Sequence, residues 1–369
     1  MRRVLLVGLV VTFACAGVAR GNDIGIQPVH VPAAILADAP GATGLTAYAG
    51  HVVWSRLDPA TARWQLVQWT GPAGRISTLP VAERSVPFDA SAGPSSTGRP
   101  VVVFSRCRRE PPGLSGILPT PDWGAASGCE LQQLALDPPA APVTIRRVGA
   151  GRSLTTPSVW HGSLVAVGRT PSGANARVLW WRPGAREPVR LPGGSIPTCP
   201  FASCPADSMR TSVDALDLGP RSVVLDWRVT GGNVIGTGLG WELRTASLAT
   251  RRSTIVQFGY VSGACGFHQP LAPGASPSGV ATYLDAASPC SGVQTALARF
   301  DPANQQRYEA RPDDASVLGA ATDGAITYWL RSPFGPTSCT ELGSTCQLTA
   351  STRVPYRLGR RGPDHTAVG

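Results

Sequence analysis

The sequence predicts an all-β protein, a six-bladed β-propeller of four-stranded antiparallel blades, and three observations carry that prediction. Turn residues punctuate the whole chain, with 42 glycines and 35 prolines among 369 residues. No segment sustains the 3.6-residue apolar period of a long helix. One order of segments recurs six times: a small-residue stretch, an unbroken apolar run and, past a loop, an alternating strand.

The apolar runs are the anchors. They read "HVVWSRLD" from His51, "PVVVFSRC" from Pro100, "SLVAVGRT" from Ser163, "SVVLDWRV" from Ser222, "GVATYLDA" from Gly279 and "AITYWLRS" from Ala325. Each is a strand apolar on both faces, as a strand sandwiched between neighbouring sheets must be. The stretches before them are "GLTAYAG", "FDASAGPSSTG", "TTPSVWHG", "VDALDLGP", "QPLAPGASPS" and "VLGAATDG". Their small residues suit the innermost strand, which lines a crowded central channel. The segments after them are "WQLVQWTG", "CELQQLALD", "ARVLWWRPG", "WELRTASLA", "QTALARFD" and "CQLTAST". Their alternation fits a third strand with one wetter face. A closing edge strand follows in four units, as "RISTLPV", "VTIRRVG", "PVRLPG" and "STIVQFG". With Val53, Val102, Val165, Val224, Ala281 and Ile326 as anchors, the steps are 49, 63, 59, 57 and 45 residues. Units of this size stacked radially are the signature of a propeller. Small and β-branched residues also explain how 7% aromatics build a core. Two β-sandwiches divided near Gly193–Pro205 are the competing fold, but they do not predict the same order six times.

The N-terminus predicts the compartment. Arg2 and Arg3 precede an apolar run from Val4 to Phe13, and Ala14-Cys15-Ala16 or Gly17-Val18-Ala19 fits a small-x-small cleavage site. Residues 1–19 read as a secretory signal peptide and 20–369 as a single propeller domain. An uncleaved anchor, or a lipoprotein joined through Cys15, is the alternative. No other stretch is apolar for ~18 residues, so no stable membrane span is expected. Cleavage after Ala19 leaves eight of nine cysteines in an oxidising compartment, where disulfides are the default.

Cys107 ends a second strand and Cys129 starts its partner third strand, so a bridge there closes the 21-residue loop Arg108–Gly128. Cys339 and Cys346 flank the equivalent loop of the last unit. Cys199 and Cys204 close "CPFASC", which leaves Cys265 and Cys290 for each other. All 33 basic residues are arginine, and the net charge of +10 becomes +8 without Arg2 and Arg3. The absence of lysine excludes a phosphate-loop lysine, a Schiff base and a lysine general base. A basic pI near 9.6 favours anionic envelope polymers. The arginines are scattered and carry no nucleic-acid motif, so no nucleic-acid partner is expected.

The second unit carries a family likeness. Pro87-Phe88-Asp89, Gly93-Pro94, Gly98-Arg99-Pro100 and "VVVFSRC" ending at Cys107, joined to "CELQQLALD" from Cys129, resemble the TolB-like six-bladed propellers in their secreted form from high-GC Gram-positive bacteria. The family's Ser-Pro-Asp-Gly blade turn is approached only by Thr322-Asp323-Gly324. The resemblance implies a partner-binding protein.

No catalytic motif accompanies the fold. There is no G-x-S-x-G elbow, and none of His30, His51, His161, His268 and His365 stands at metal-ligand spacing from another. His51 and His161 read as turn histidines. Metal-dependent propeller lactonases, by resemblance, hold a divalent cation in the channel with Glu and Asn. Here Asn22 lies near the terminus, and Asn175, Asn233 and Asn304 fall in expected outer loops. Asp89, Asp214 and Asp217 are the main charges on the expected inner strands. Three carboxylates from two blades make calcium possible, although turn capping is the commoner use of Asp. Trp64, Trp69, Trp180, Trp181 and Trp241 fall on third strands, where they are expected to pack between sheets; partly exposed indoles forming a contact surface are the alternative.

These features predict a secreted or extracytoplasmic monomer, non-catalytic, that binds a protein or cell-envelope polysaccharide through one rim of loops. Trp123 beside Asp122 in the Arg108–Gly128 loop is the candidate partner-binding anchor. A channel-sited hydrolase of the metal-dependent lactonase or esterase type is the alternative.

Overall fold

The computed structural model describes residues 29–352, apart from 72–73, 113, 116–119, 150–151, 171–175, 193–209, 234–235, 262–266, 277–278, 289–293, 302–305, 313–315, 334–338 and 340–344. It is a ring of six four-stranded antiparallel blades around a central channel, two of them continuous where Tyr260 and Val261 pair with His268 and Phe267. From the axis outward, blade 1 is Ala42–Tyr48, His51–Asp58, Arg63–Thr70 and Arg75–Thr78. Blade 2 is Ser91–Pro94, Pro100–Arg106, Glu130–Ala135 and Val143–Arg146. Blade 3 is Ser153–Trp160, Ser163–Arg169, Arg177–Trp181 and Val189–Arg190. Blade 4 is Arg210–Leu218, Ser222–Asn233, Gly236–Ser247 and Ser253–Val261. Blade 5 is Phe267–Ala275, Ala281–Ser288, Gln294–Asp301 and Gln306–Pro312. All six sequence anchors fall in second strands.

Blade 6 is built from both ends of the chain. Ser316–Asp323, Ile326–Ser332 and Gln347–Thr352 are completed outside by Ala34–Asp38, which runs antiparallel to Gln347–Thr352 with Ala34 opposite Ala350. Just before it, Val29–Val31 lies parallel to the outer strand of blade 5, with Val29 opposite Ala310. The N-terminal segment therefore stitches two blades. This is where the sequence reading stopped short, because the missing outer strand of the last unit lies at the far end of the chain.

The core is divided among the blade interfaces, which explains the doubly apolar second strands. In blade 1, Val52 and Trp54 pack toward Tyr328 and Leu330 of blade 6, while Val53 packs toward Val102 and Phe104 of blade 2. In blade 2, Val101 and Val103 turn the other way, onto Leu164 and Ala166 of blade 3. Val165 and Val167 then meet Val223 and Leu225 of blade 4, and Val224 meets Ala281 and Tyr283 of blade 5. Successive side chains thus serve opposite interfaces. Burying such a side chain contributes about 1.5–3 kcal/mol before entropy is counted.

The five third-strand tryptophans, Trp64, Trp69, Trp180, Trp181 and Trp241, are all buried in the structure. Of the two readings the sequence offers for these rings, the structure shows packing: they fill the gaps between sheets and form no exposed contact surface. Along the channel, close approach explains the small residues. A Cβ on Gly93 would run into the carbonyl oxygen of Val159 in blade 3.

Candidate functional site

The inner strands enclose a channel cavity of about 480 Å³. Its carboxylates fasten blade to blade. Asp89, just before the inner strand of blade 2, accepts from the Thr156 N–H of blade 3 at 2.6 Å and from the Ser105 N–H at 2.9 Å. Asp217 of blade 4 accepts from the Ala275 N–H of blade 5 at 2.8 Å and from the Ser158 hydroxyl of blade 3 at 2.8 Å. Asp323 of blade 6 accepts from the Gly50 N–H of blade 1 at 2.7 Å, closing the ring. At the intervening junctions a hydroxyl does this work. Thr46 accepts from the Ala92 N–H at 2.9 Å, Ser158 from the Leu218 N–H at 3.0 Å, and Thr295 from the Val317 N–H at 2.9 Å. Carboxylate and hydroxyl fasteners alternate around the ring.

Both oxygens of Asp89 and of Asp217 therefore already accept from the protein. A calcium ion at Asp89, Asp214 and Asp217 would have to share those oxygens with their present donors. Among the described residues no three His, Cys, Asp or Glu side chains stand together as a metal-binding group. Burial pushes the Asp217 carboxyl up to about 6, although the hydrogen bonds from Ala275, Ser158 and Leu218 pull the other way.

The Arg108–Gly128 loop reaches one mouth of the channel, where Pro121 and Trp123 line it. Its base continues the blade 2 ladder: Cys107 and Cys129 are disulfide-bonded, and Arg109 and Ser127 exchange backbone hydrogen bonds of 3.1 and 2.9 Å. Its body docks on Arg84, whose side chain is fully buried. The Arg84 guanidinium meets Glu110 of the loop at 3.0 Å and Asp89 at 3.7 Å, and donates to the Ser105 carbonyl at 3.1 Å. It lies 5.0 Å from the ring centres of both Phe88 and Trp123. Burial lowers its affinity for the proton, and Asp89 and Glu110 restore part of it. Glu110 also accepts from the Ser85 N–H at 3.0 Å and hydroxyl at 2.9 Å.

Trp123 is only 4% exposed. It packs with Val86, Ala126, Cys107 and Cys129 in a small core beneath the loop, and borders the channel with Pro121. It anchors the loop to the blade and is not a free surface ring. Asp122 caps the 3₁₀ turn Trp123–Ala125 by accepting from the Gly124 N–H at 3.1 Å. It also reaches across blade 3 to Arg228 of blade 4, at 3.6 Å.

Arg228 leads into a charged cluster at the same mouth. It pairs with Asp214 at 3.1 Å, and Asp214 accepts from the Ser212 hydroxyl at 2.8 Å. Arg169, 3% exposed, donates to the Val213 carbonyl at 2.8 Å and the Thr155 hydroxyl at 3.0 Å. Burial pulls its guanidinium down to about 10, so it stays charged at neutral pH. Asp226, 1% exposed, has one carboxyl oxygen without a hydrogen-bond partner. Burial, and then the charge of Asp214, hold its carboxyl well above the usual Asp range against the pull of Arg228. Burial also raises Asp214, with Arg228 opposing.

The structure separates the sequence-predicted residues. Asp122, Trp123 and Asp214 meet at this mouth, while Asp217 lies further along the channel. Cys339 and Cys346 are disulfide-bonded. Cys199, Cys204, Cys265, Cys290 and His365 lie outside the described residues. His51 opens a second strand, and His161, exposed, occupies a tight turn at φ 47°. Sequence reasoning missed Arg84, Arg228, Asp226 and Asp323. The signal available for Asp226 was an acidic residue inside the apolar run "SVVLDWRV", where a carboxyl is buried by its neighbours.

No protein-family model matches the chain, and no curated protein matches its sequence. Among solved structures, TolB from Acinetobacter baumannii aligns over 84% of this chain and 66% of its own, at 12% identity and TM-score 0.44. The β-propeller domain of the Trilobed protease from Pyrococcus furiosus aligns over 89% and 99%, at 9% identity and TM-score 0.43. The GH93 α-L-arabinofuranosidase of Fusarium graminearum, solved with arabinobiose, aligns over 87% and 97%, at 8% identity and TM-score 0.47. The chain thus spans just under two thirds of the TolB chain. These likenesses say nothing of activity, and the fold itself rests on the strand pairing described above.

Proposed function

We propose that this chain is an extracytoplasmic, non-catalytic propeller that binds a protein or cell-envelope glycan through the loop-lined face bearing Arg108–Gly128. The observation that carries the reading is the loop's preorganisation. It is tied by Cys107–Cys129, docked on buried Arg84, held from within by Trp123 and paired through Asp122 with Arg228 of blade 4. A loop fastened at these points before binding loses less entropy on binding, which suits recognition. Secretion agrees with the disulfides, and among the described residues no helix is long and apolar enough to cross a membrane.

The test is co-sedimentation of the mature protein with purified envelope polysaccharide, and pull-down from solubilised envelope protein, for wild type and for Asp122→Ala. That substitution removes the loop's tie to Arg228 and the cap of its 3₁₀ turn, and leaves the disulfide and the Arg228–Asp214 pair in place. Weaker retention by the variant supports the reading. Equal retention, with the loop demonstrably loosened by proteolysis, overturns it.

The runner-up, a channel-sited hydrolase, draws on Asp214 and Asp226, two carboxyls that burial holds above the usual Asp range and so makes candidates for proton transfer. Turnover of lactones or aryl esters that Asp214→Asn abolishes would make it the better reading.

A further inference from the structure

Beside the Cys107–Cys129 bridge a second concavity opens on the rim, a cleft of about 370 Å³. Four arginines line it, Arg106, Arg108, Arg147 and Arg152, against a single carboxylate, Glu130. Two of the four are engaged. Arg106 donates to the carbonyls of Ala82 and Glu83 at 2.9 and 3.4 Å, and Arg147 donates to Glu130 at 2.9 Å. Glu130 is further occupied by the Thr144 hydroxyl at 2.8 Å and the Gln132 amide at 3.3 Å. Burial alone would raise its carboxyl, but those bonds and Arg147 outweigh burial and hold it below the usual range, so it stays an anion neutralised by Arg147.

Arg108 and Arg152 are exposed, and neither guanidinium has a partner among the described residues. Arg108 is nevertheless held in place. Its backbone is laddered to Gly128, and its side chain lies so close over that glycine that a Cβ there would stand 2.9 Å from Nε. A glycine at φ 64° is needed at this point for both turn and space. The cleft thus holds two cations unengaged among the described residues, Arg108 beside the disulfide and Arg152 on the segment leading into blade 3.

We infer that this cleft is a subsite for an oxyanion carried on a cell-envelope glycan, with Arg108 and Arg152 as its hydrogen-bond donors. The inference rests on the rim-binding reading and narrows it. Guanidinium forks match the paired acceptors of a phosphate or a carboxylate. The shape favours a glycan over a protein: the site is concave and about the size of one or two sugar units. A protein partner would need a face of roughly 800 Å².

The experiment is titration of the mature, oxidised protein with phosphomannan, polygalacturonate, neutral dextran and polyglutamate at several salt concentrations. Binding of either anionic glycan, with dextran inert, is expected, and the tighter of the two identifies the oxyanion as phosphate or carboxylate. Arg108→Ser with Arg152→Ser should weaken that binding about tenfold or more and lower the salt slope by about two, one per lost contact. Arg251→Ser with Arg252→Ser removes the same charge from an exposed hairpin on the opposite face and should change little. Equal loss from both double variants would reduce the effect to net charge and overturn the subsite. Tighter binding of polyglutamate would assign the cleft to an acidic protein and overturn it too. If no polyanion binds while envelope fractions still retain the protein in a loop-dependent way, the subsite falls and the rim-binding reading stands. If neither binds, both fall.

Discussion

Arg84 shows how much one buried side chain organises. Its guanidinium is sandwiched between Phe88 and Trp123 and touches Glu110, Asp89 and the Ser105 carbonyl. Removing one member of a buried ion pair strands its partners in a low-dielectric site, at about 3–5 kcal/mol. Arg84→Met should therefore lower the unfolding free energy read from urea denaturation by an amount of that order, and make the Arg108–Gly128 loop the first site of tryptic cleavage. Arg84→Lys should rescue little, since an ammonium cannot stack as a plane between two rings. Asp217 gives the pH signature. Its folded-state pKa, about 6, lies above an unfolded value of about 3.9. Below the lower value both states are protonated. Between the two the native state keeps a proton that the unfolded chain has released, so stability falls as pH rises through that window. Melting temperature measured from pH 4 to 7 should show this decline, and Asp217→Asn should flatten it relative to wild type.

At the scale of elements, the Arg108–Gly128 loop depends on its staple. Cys107 and Cys129 close 21 residues, and in the chain-entropy picture such a bridge stabilises by roughly 2–4 kcal/mol. Replacing both cysteines by serine should shift the denaturation midpoint accordingly and expose the loop to limited proteolysis. The shorter Cys339–Cys346 loop should matter less, because closing fewer residues removes less entropy from the unfolded chain. Non-reducing peptide mapping should also recover Cys199–Cys204 and Cys265–Cys290, and a Cys129–Cys199 bridge would contradict the blade boundaries. The loop's ends were legible in the sequence, because cysteines flanking a strand-to-strand connection are a local pattern. Its docking was not. Arg84 and Glu110 meet through the fold, and neither "VAERSV" nor "RREPPG" distinguishes a buried charge from a solvated one.

The whole molecule is a closed circle, and closure is the property that no single unit carries. Ala34–Asp38 supplies the outer strand of blade 6 and Val29–Val31 an added strand on blade 5. Deleting residues 20–38 should leave the edge of Gln347–Thr352 unpaired, and an exposed edge strand invites pairing with other chains. The expected result is loss of the monomer peak in size-exclusion chromatography with light scattering, and aggregation. Truncation from Ser316 onward should do the same by opening two sheet faces. A truncated protein that stayed monomeric and melted cooperatively would show that the blades do not depend on closure.

The sequence by itself determined the all-β class, the six repeats and the strands buried on both faces. Each of these is written in runs of fewer than a dozen residues, where burial imposes its own period. The tertiary structure alone decided how the circle closes and which charges are engaged. The Gly50–Asp323 hydrogen bond joins residues 273 apart, and the Ser351–Pro32 bond joins residues 319 apart. No local pattern of apolar and polar residues encodes partners at that distance. They are chosen by the packing of six similar sheets around one axis, which brings the first blade against the last.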